Sequence, residues 1–146
     1  MKKTRIGAIE RVSIPEWGLR SIRAKIDTGA FTSSIDVESV KVAVEDGTGR
    51  DQAVITLLHR RRHQTIRAPV AAYRRVRNPS GGVTTRPIVE VVIVLGGRRF
   101  RTPVNLHRRE GMSFRMIIGR RALAGRFVVD VALGRKKTAE KTIPQV

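Results

Sequence analysis

The sequence predicts a small all-β barrel with one short helix late in the chain, and three observations lead to that prediction. The chain has 146 residues, of which 40% are hydrophobic, which is enough for one buried core and too little for two ordinary domains. Its apolar residues are mainly Val, Ile and Ala in short runs bounded by Gly, Pro or Asn, a pattern typical of strands. Only one short segment favours a helix. We therefore expect one domain at 1–134 and a basic, frayed tail at 135–146.

The first third of the chain contains two predicted strands joined by a turn. A weakly alternating strand at 5–12 ends before Pro15. The following turn carries Trp17, which we expect to cap the core because it is the only Trp. The segment 22–26 then alternates apolar and basic residues, and this period of two predicts a strand with one buried face.

The middle of the chain is predicted to form a meander of strands. Residues 35–44 indicate a short irregular piece and a strand, and Asp46-Gly47 is a strong hairpin signal before a returning strand at 53–58. A basic turn follows. The segment 65–76 is extended but interrupted at Pro69, which indicates an edge strand or a bulge because proline cannot donate a ladder hydrogen bond.

The last half adds a projecting arm and the most apolar strands. Asn78-Pro79-Ser80-Gly81-Gly82 lies between two extended segments and is predicted to be the tip of a hairpin arm. The remaining predicted elements are a buried strand at 88–95, a strand at 98–106 after Gly96-Gly97, a buried strand at 116–119, a short helix at 120–124 closed by Gly125, and a last strand at 127–131.

Charge and composition narrow the partners. Lys and Arg total 30 against 12 Asp and Glu, giving a net charge of +18, which favours acidic partners such as nucleic acid, anionic lipid or an acidic polypeptide. The absence of Cys excludes disulfides and thiolate sites. Because no apolar run is long enough to span a membrane and the first residues lack a signal-peptide core, we expect a cytoplasmic protein that does not enter the membrane.

The strand at 22–26 leads into Asp27-Thr28-Gly29, the first candidate site. An acid held on a tight turn beside apolar surface is a candidate catalyst, and Gly29 allows a ligand to approach the backbone closely. The same tripeptide is also a common Asx-type turn, in which Asp27 only caps the backbone. The motif alone leaves both interpretations open.

Further motifs in the same order resemble the retropepsin-like aspartic proteases. In that family an Asp-Thr-Gly turn, a Gly-rich flap and a late apolar-apolar-Gly-Arg segment with a short helix follow one another, as they do here. The resemblance covers about residues 16–133, and it is closest to a bacterial and archaeal subfamily labelled ATP-dependent zinc protease, whose members are associated with glutamate ligases that modify ribosomal protein. The segments that carry it are 24–34, 77–82, 95–97 and 114–130.

The resemblance implies an aspartic endopeptidase that activates water between two carboxylates and needs no cofactor. Because the chain has one Asp-Thr-Gly, a homodimer would have to supply the second Asp27. By the same resemblance, Thr28 and Arg120 would brace the dimer, and a peptide or protein substrate would bind in extended form. The residues expected to contact the substrate are Gly29, Ala30, Gly81, Gly82, Ile117, Ile118 and Gly119.

Two positions depart from the family pattern. Phe31 stands where the subfamily has a basic residue and viral retropepsins an acid that pairs with the arginine matching Arg120. Asp36 stands where the subfamily has a histidine. These departures keep a second hypothesis open: a non-catalytic module that uses its cationic surface to bind RNA, ribosomal protein or a glutamylated tail.

The subfamily label itself finds little support in the motifs. The sequence has no phosphate-binding G-x-x-x-x-G-K-[ST] loop for ATP. His59 and His63 have the spacing of a zinc-binding helix, but the glutamate of His-Glu-x-x-His is missing and three arginines lie between them. We therefore expect no metal there, and His107, beside Arg108 and Arg109, is expected at the surface.

Overall fold

The structure, a computed structural model, describes residues 2–44, 47, 49–77, 79–107 and 113–133, and strands dominate these ranges. A 3-10 helix, Pro15–Trp17, and one α-helix, α1 (Arg120–Leu123), accompany them. The strands are β1 (Thr4–Ile6), β2 (Ile9–Ile14), β3 (Leu19–Ile26), β4 (Ser33–Asp36), β5 (Ser39–Val44), β6 (Asp51–His59), β7 (Arg62–Pro69), β8 (Ala72–Arg77), β9 (Val83–Leu95), β10 (Arg98–His107), β11 (Met116–Ile118) and β12 (Phe127–Val129).

Six strands close into a barrel. Their order is β10-β4-β11-β3-β2-β9, and β9 pairs with β10 to complete the ring. Alternate residues of these strands point inward, as the period of two requires. The predicted all-β barrel with a short helix is therefore confirmed. Its interior includes Val12, Ile14, Leu19, Ala24, Ile35, Val89, Ile93, Val104, Leu106, Met116 and Ile118, and Trp17 packs against the same core.

A parallel pair of short strands lies outside the barrel and changes two predicted boundaries. β1 pairs with β12, with Thr4 opposite Phe127. The single strand predicted at 5–12 is therefore wrong, because the chain leaves this pair after Ile6 and enters the barrel as β2. The last strand ends at Val129 rather than 131, because the N–H of Ala132 donates to Asp130 Oδ1 at 3.0 Å and turns the chain.

A separate three-stranded sheet contains β5, β6 and β7. The segment predicted as an irregular piece and a strand is two strands, since β4 belongs to the barrel and β5 to this sheet. β5 and β6 pair as the predicted hairpin, although Asp46 and Thr48 at its turn lie outside the described residues. Pro69 ends β7, an edge strand, as predicted.

The predicted arm is present as the β8–β9 hairpin. β9 has 13 residues. It starts earlier than predicted, at Val83, because its first half pairs with β8, from Arg77 opposite Val83 to Ala72 opposite Ile88. Its second half pairs with β10 in the barrel. Asn78 in the tip and the predicted tail at 135–146 lie outside the described residues.

The predicted glycine turn and late elements are also found. Gly96 and Gly97, both with positive φ, connect β9 to β10. β11 and α1 follow each other as predicted, and Gly125 after the helix has a φ of 80°. No helix in the described part of the chain is long and apolar enough to cross a membrane.

Candidate active site

Asp27 lies at the end of β3, where two parallel strands of the barrel finish side by side. Ile26 of β3 is opposite Ile118 of β11, and the N–H of Asp27 donates to the Ile118 carbonyl at 2.9 Å. The side chains of Ile26 and Ile118 are buried in the core. Asp27 is therefore the first residue beyond a rigid pair of strands, which fixes the position of its backbone.

The carboxylate of Asp27 also organises its own turn. Oδ1 accepts a hydrogen bond from the N–H of Gly29 at 2.9 Å, and the Asp27 carbonyl accepts one from the N–H of Ala30 at 3.2 Å. The Asx-type interpretation of the motif is thus correct for Oδ1. Within the described ranges Oδ2 accepts no hydrogen bond, and Asp27 is half-buried. One oxygen holds the turn, and the other can take part in chemistry.

Helix α1 fastens the far side of this turn. The N–H of Arg120 donates to the Ala30 carbonyl at 2.8 Å, and the N–H of Arg121 donates to the Phe31 carbonyl at 3.0 Å. The guanidinium of Arg120 adds a third bond, from Nη1 to the Thr28 carbonyl at 3.1 Å. The start of the helix therefore satisfies the carbonyls of the turn, and Arg120 has a role within one chain.

Gly119, the residue between β11 and α1, is packed against the Asp27 turn. Its φ of −100° is open to any residue, so space and not backbone strain requires glycine here. A Cβ at this position would lie 2.8 Å from the Ala30 carbonyl oxygen, 2.9 Å from the Thr32 carbonyl carbon and 3.0 Å from the Phe31 carbonyl oxygen. All three atoms are backbone, so the turn would have to move.

Two polar residues that sequence reasoning missed support Gly119 from below. The hydroxyl of Ser33, which is fully buried, accepts a hydrogen bond from the Gly119 N–H at 3.0 Å. Asn105 donates from Nδ2 to the Ser33 carbonyl at 3.2 Å, while its Oδ1 is buried and has no partner among the described residues. A polar residue between Val104 and Leu106 was the one available signal.

Phe31 occupies the edge of the site and is 55% exposed. The guanidinium carbons of Arg120 and Arg121 lie 5.6 Å and 5.5 Å from the centre of its ring, within the range of cation–π contacts. An aromatic–guanidinium cluster thus replaces the acid–arginine pair of viral retropepsins. Whether this cluster, Thr28 and Arg120 brace a dimer stays a prediction.

The structure brings only some of the predicted substrate-contacting residues together. Gly29 and Ala30 lie in the Asp27 turn, and Ile118 and Gly119 contact it. Ile117 is buried but lies outside the main core cluster, because it points to the opposite face of β11 from Ile118. Gly81 and Gly82 are exposed at the arm and, in the described chain, form no hydrogen bond with the Asp27 turn.

The two histidines that share zinc-helix spacing lie on strands and have different partners. His63 is exposed, and its Nδ1 lies 2.9 Å from Glu38 Oε1. His59 is buried, and its Nε2 accepts the Arg20 N–H at 3.3 Å. Burial, followed by the charges of Arg115 and Arg60, lowers the pKa of His59. Among the described residues, no group of three or more His, Cys, Asp or Glu could hold a metal ion.

Asp36, the second departure from the family pattern, lies close to the same buried histidine. Its N–H donates to the Arg115 carbonyl at 2.8 Å, and Arg115 Nη1 lies 3.5 Å from His59 Nδ1. Burial lowers the pKa of Arg115, and the charge of Asp36 opposes that shift. Asp36 therefore partly neutralises a half-buried arginine. The side chain of His107, predicted at the surface, lies outside the described part of the structure.

Comparisons with known proteins agree with this architecture. A family model described as RimB-like, retropepsin-like aspartic endopeptidase RimB, matches residues 5–141. A protein from Desulfotalea psychrophila and one from Parasynechococcus marenigrum, each named probable alpha-L-glutamate ligase, are 33% and 34% identical to 88% of this chain. The matched region is 28% of each relative, so this chain corresponds to a minor part of those proteins.

A solved structure shows the same fold. The crystal structure of a protein of unknown function from Legionella pneumophila superposes with a TM-score of 0.74, covering 90% of this chain and 96% of that one. The two sequences are 22% identical. The similarity extends over nearly the whole of both chains, including the barrel that positions Asp27.

Proposed function

The chain belongs to the RimB-like family of retropepsin-like aspartic endopeptidases, and from this membership we propose that it hydrolyses peptide bonds at a site formed by Asp27 from two copies of the chain. One observation carries the proposal. Asp27 is fixed by Ile118 and Gly29, yet Oδ2 is left for chemistry. A residue that only capped a turn would not need a backbone this tightly supported by β11 and α1.

The chemistry requires two carboxylates that share one proton. Like charges a few ångströms apart cannot both ionise at neutral pH, so one carboxyl group stays protonated. The ionised Asp27 takes a proton from water as the water attacks the scissile carbonyl carbon. The protonated partner donates a hydrogen bond to the carbonyl oxygen, and a proton is then passed to the leaving amine.

A second copy is the source of the partner carboxylate. The other aspartates, Asp36, Asp46, Asp51 and Asp130, lack a following Thr-Gly or Ser-Gly, so the chain has a single half-site. A two-fold axis beside the turn would bring the two Asp27 side chains together. Thr28, exposed at the tip of the turn, is placed to face that axis.

An acidic substrate fits the charge of the chain. The net charge of +18 attracts polyanions from a distance. The relatives named probable alpha-L-glutamate ligase contain a region like this chain, which makes a glutamate-rich protein segment the leading substrate class.

A second candidate function is favoured by the same excess of positive charge. The chain would then be a non-catalytic module that binds RNA, ribosomal protein or a glutamylated tail. Binding of this kind loses affinity steeply as salt rises, and it would not depend on Asp27. Peptide cleavage separates the two candidates.

Cleavage of a library of extended peptides, followed by mass spectrometry, tests the proposal. We expect cleavage at acidic to neutral pH without ATP, and a bell-shaped dependence of rate on pH, because activity requires one protonated and one ionised carboxyl group. A chelator serves as the control and should leave the rate unchanged. Absence of cleavage across the pH range, or cleavage that stops when metal is chelated, would contradict the proposed function.

A further inference from the structure

The β8–β9 arm carries four arginines, Arg74, Arg75, Arg77 and Arg86, and no acidic residue between Ala72 and Ile88. Arg74 and Arg86 are directly opposite each other across the hairpin, an arrangement that is destabilising for like charges. The Nε of Arg86 is buried without a partner in the described chain, and burial together with Arg74 lowers the pKa of Arg86. The arm therefore concentrates positive charge that the hairpin itself does not neutralise.

The arginines divide between the two faces of the arm. Side chains alternate along a strand, so Arg75 and Arg77 share one face while Arg74 lies on the other. Arg77 is opposite Val83, and Arg75 is opposite Thr85. Arg75, Arg77 and Val83 line a shallow recess on their face, and all three are exposed.

The face with Arg75 and Arg77 continues the inner face of the barrel. Val83 and Thr85 have the same parity along β9 as Val89, Val91 and Ile93, which are buried in the core. Past Ile88 the strand leaves the barrel, so this inward face becomes exposed on the arm. The recess therefore lies on the side of the arm that faces the mouth of the barrel.

Strand register places the Asp27 turn at the same level. Around the barrel, Ile26 is opposite Ile118, Ile117 is opposite Ser34, and Ser33 is opposite Val104. Val104 in turn is opposite Val89, the residue after the base of the arm. The arm thus emerges next to the end of the barrel at which Asp27 lies.

We propose that Arg75 and Arg77 form a subsite that binds acidic side chains at alternate positions of an extended peptide substrate. This inference rests on the proposed function. Alternate residues of a strand are about 6.8 Å apart, and alternate side chains of an extended peptide have the same spacing, so two carboxylates can each meet one guanidinium. Val83 contacts the aliphatic part of such side chains.

A peptide fits this surface better than a nucleic acid does. Single-stranded nucleic acid is bound by stacking on exposed aromatic rings, and aromatic residues make up 4% of the sequence. Tyr73, on the same face of the arm, donates its hydroxyl hydrogen bond to Asp51. Guanidinium groups beside an aliphatic residue, without an exposed stacking platform, favour carboxylates on a polypeptide.

The test compares two peptides that differ only in having Glu or Gln at two alternate positions on one side of the cleaved bond. We expect the wild-type chain to cleave the Glu peptide with a kcat/KM about tenfold higher, mainly through KM, since two charge-assisted contacts are gained. The double variant Arg75→Gln/Arg77→Gln should lose this preference. The matched control, Arg74→Gln/Arg86→Gln, removes the same charge from the other face and should keep it.

Three results would overturn the subsite: no preference for Glu in the wild type, an unchanged preference in Arg75→Gln/Arg77→Gln, or equal loss in the control, which would indicate net charge alone. RNA binding that depends on Arg75 and Arg77 without any Glu preference would also overturn it. Binding of both peptides to the Asp27→Asn variant, measured by fluorescence anisotropy, separates this inference from catalysis. A Glu preference there, with no cleavage by the wild type, would support the subsite and reject the proposed function.

Discussion

Replacing Asp27 by Asn is expected to reduce peptide cleavage by about four orders of magnitude, because the amide cannot remove a proton from water. The fold should survive. The Asn side-chain oxygen can still accept the hydrogen bond that Asp27 Oδ1 now takes from Gly29, and the backbone bond to Ile118 does not involve the side chain. Initial rates at the optimum pH and thermal unfolding of both proteins measure the two effects.

A matched control is provided by Asp130, which forms the same kind of turn away from the site. Its Oδ1 accepts a hydrogen bond from the Ala132 N–H at 3.0 Å. Asp130→Asn should therefore keep both the turn and the activity. Equal activity of Asp27→Asn and the wild-type chain would reject Asp27 as the catalyst, and equal loss in both variants would indicate that the effect is structural.

Gly119→Ala is expected to have the second largest effect. The added methyl group would be within about 3 Å of three backbone atoms of the Asp27 turn, and such overpacking costs about 1–3 kcal/mol. Because the turn must move to make room, kcat should fall by at least about a hundredfold. Denaturant unfolding and kinetics on the same preparation measure both quantities.

Gly97→Ala separates loss of stability from loss of geometry. A Cβ at Gly97 would meet nothing within 4 Å, but its φ of +76° is unfavourable for alanine, at a cost of about 1 kcal/mol. We expect a similar loss of stability with full activity. Full activity of Gly119→Ala as well would show that the position of the Asp27 turn does not depend on this contact.

Most of the barrel could be predicted because local patterns determine it. Alternation along 22–26, the apolar run at 88–95 and the apolar-apolar-Gly-Arg segment each correspond to an observed strand or to the start of α1. The Asp27 turn was likewise predicted at the end of β3. In each case neighbouring residues report the burial of one face, and glycine marks the end of the element.

The missed features depend on contacts between distant parts of the chain. β4 contains Ser33 and Ser34, both buried, so its polar residues hide a strand that is covered on both faces. The pairing of β1 with β12 joins residues more than a hundred positions apart, and no local pattern reports it. The role of Ser33 was missed for the same reason, because its partner is the backbone of Gly119 and any residue type could supply that partner.

The central claim, that one active site is built from two copies of Asp27, is tested most directly by mixing. Wild-type chain and the Asp27→Asn variant are unfolded together, refolded at a fixed total concentration, and assayed for peptide cleavage. If only dimers with two intact Asp27 side chains are active, the rate should fall as the square of the wild-type fraction, to about one quarter in an equal mixture. A linear fall, to about one half, would show that each chain works alone and would contradict the shared site.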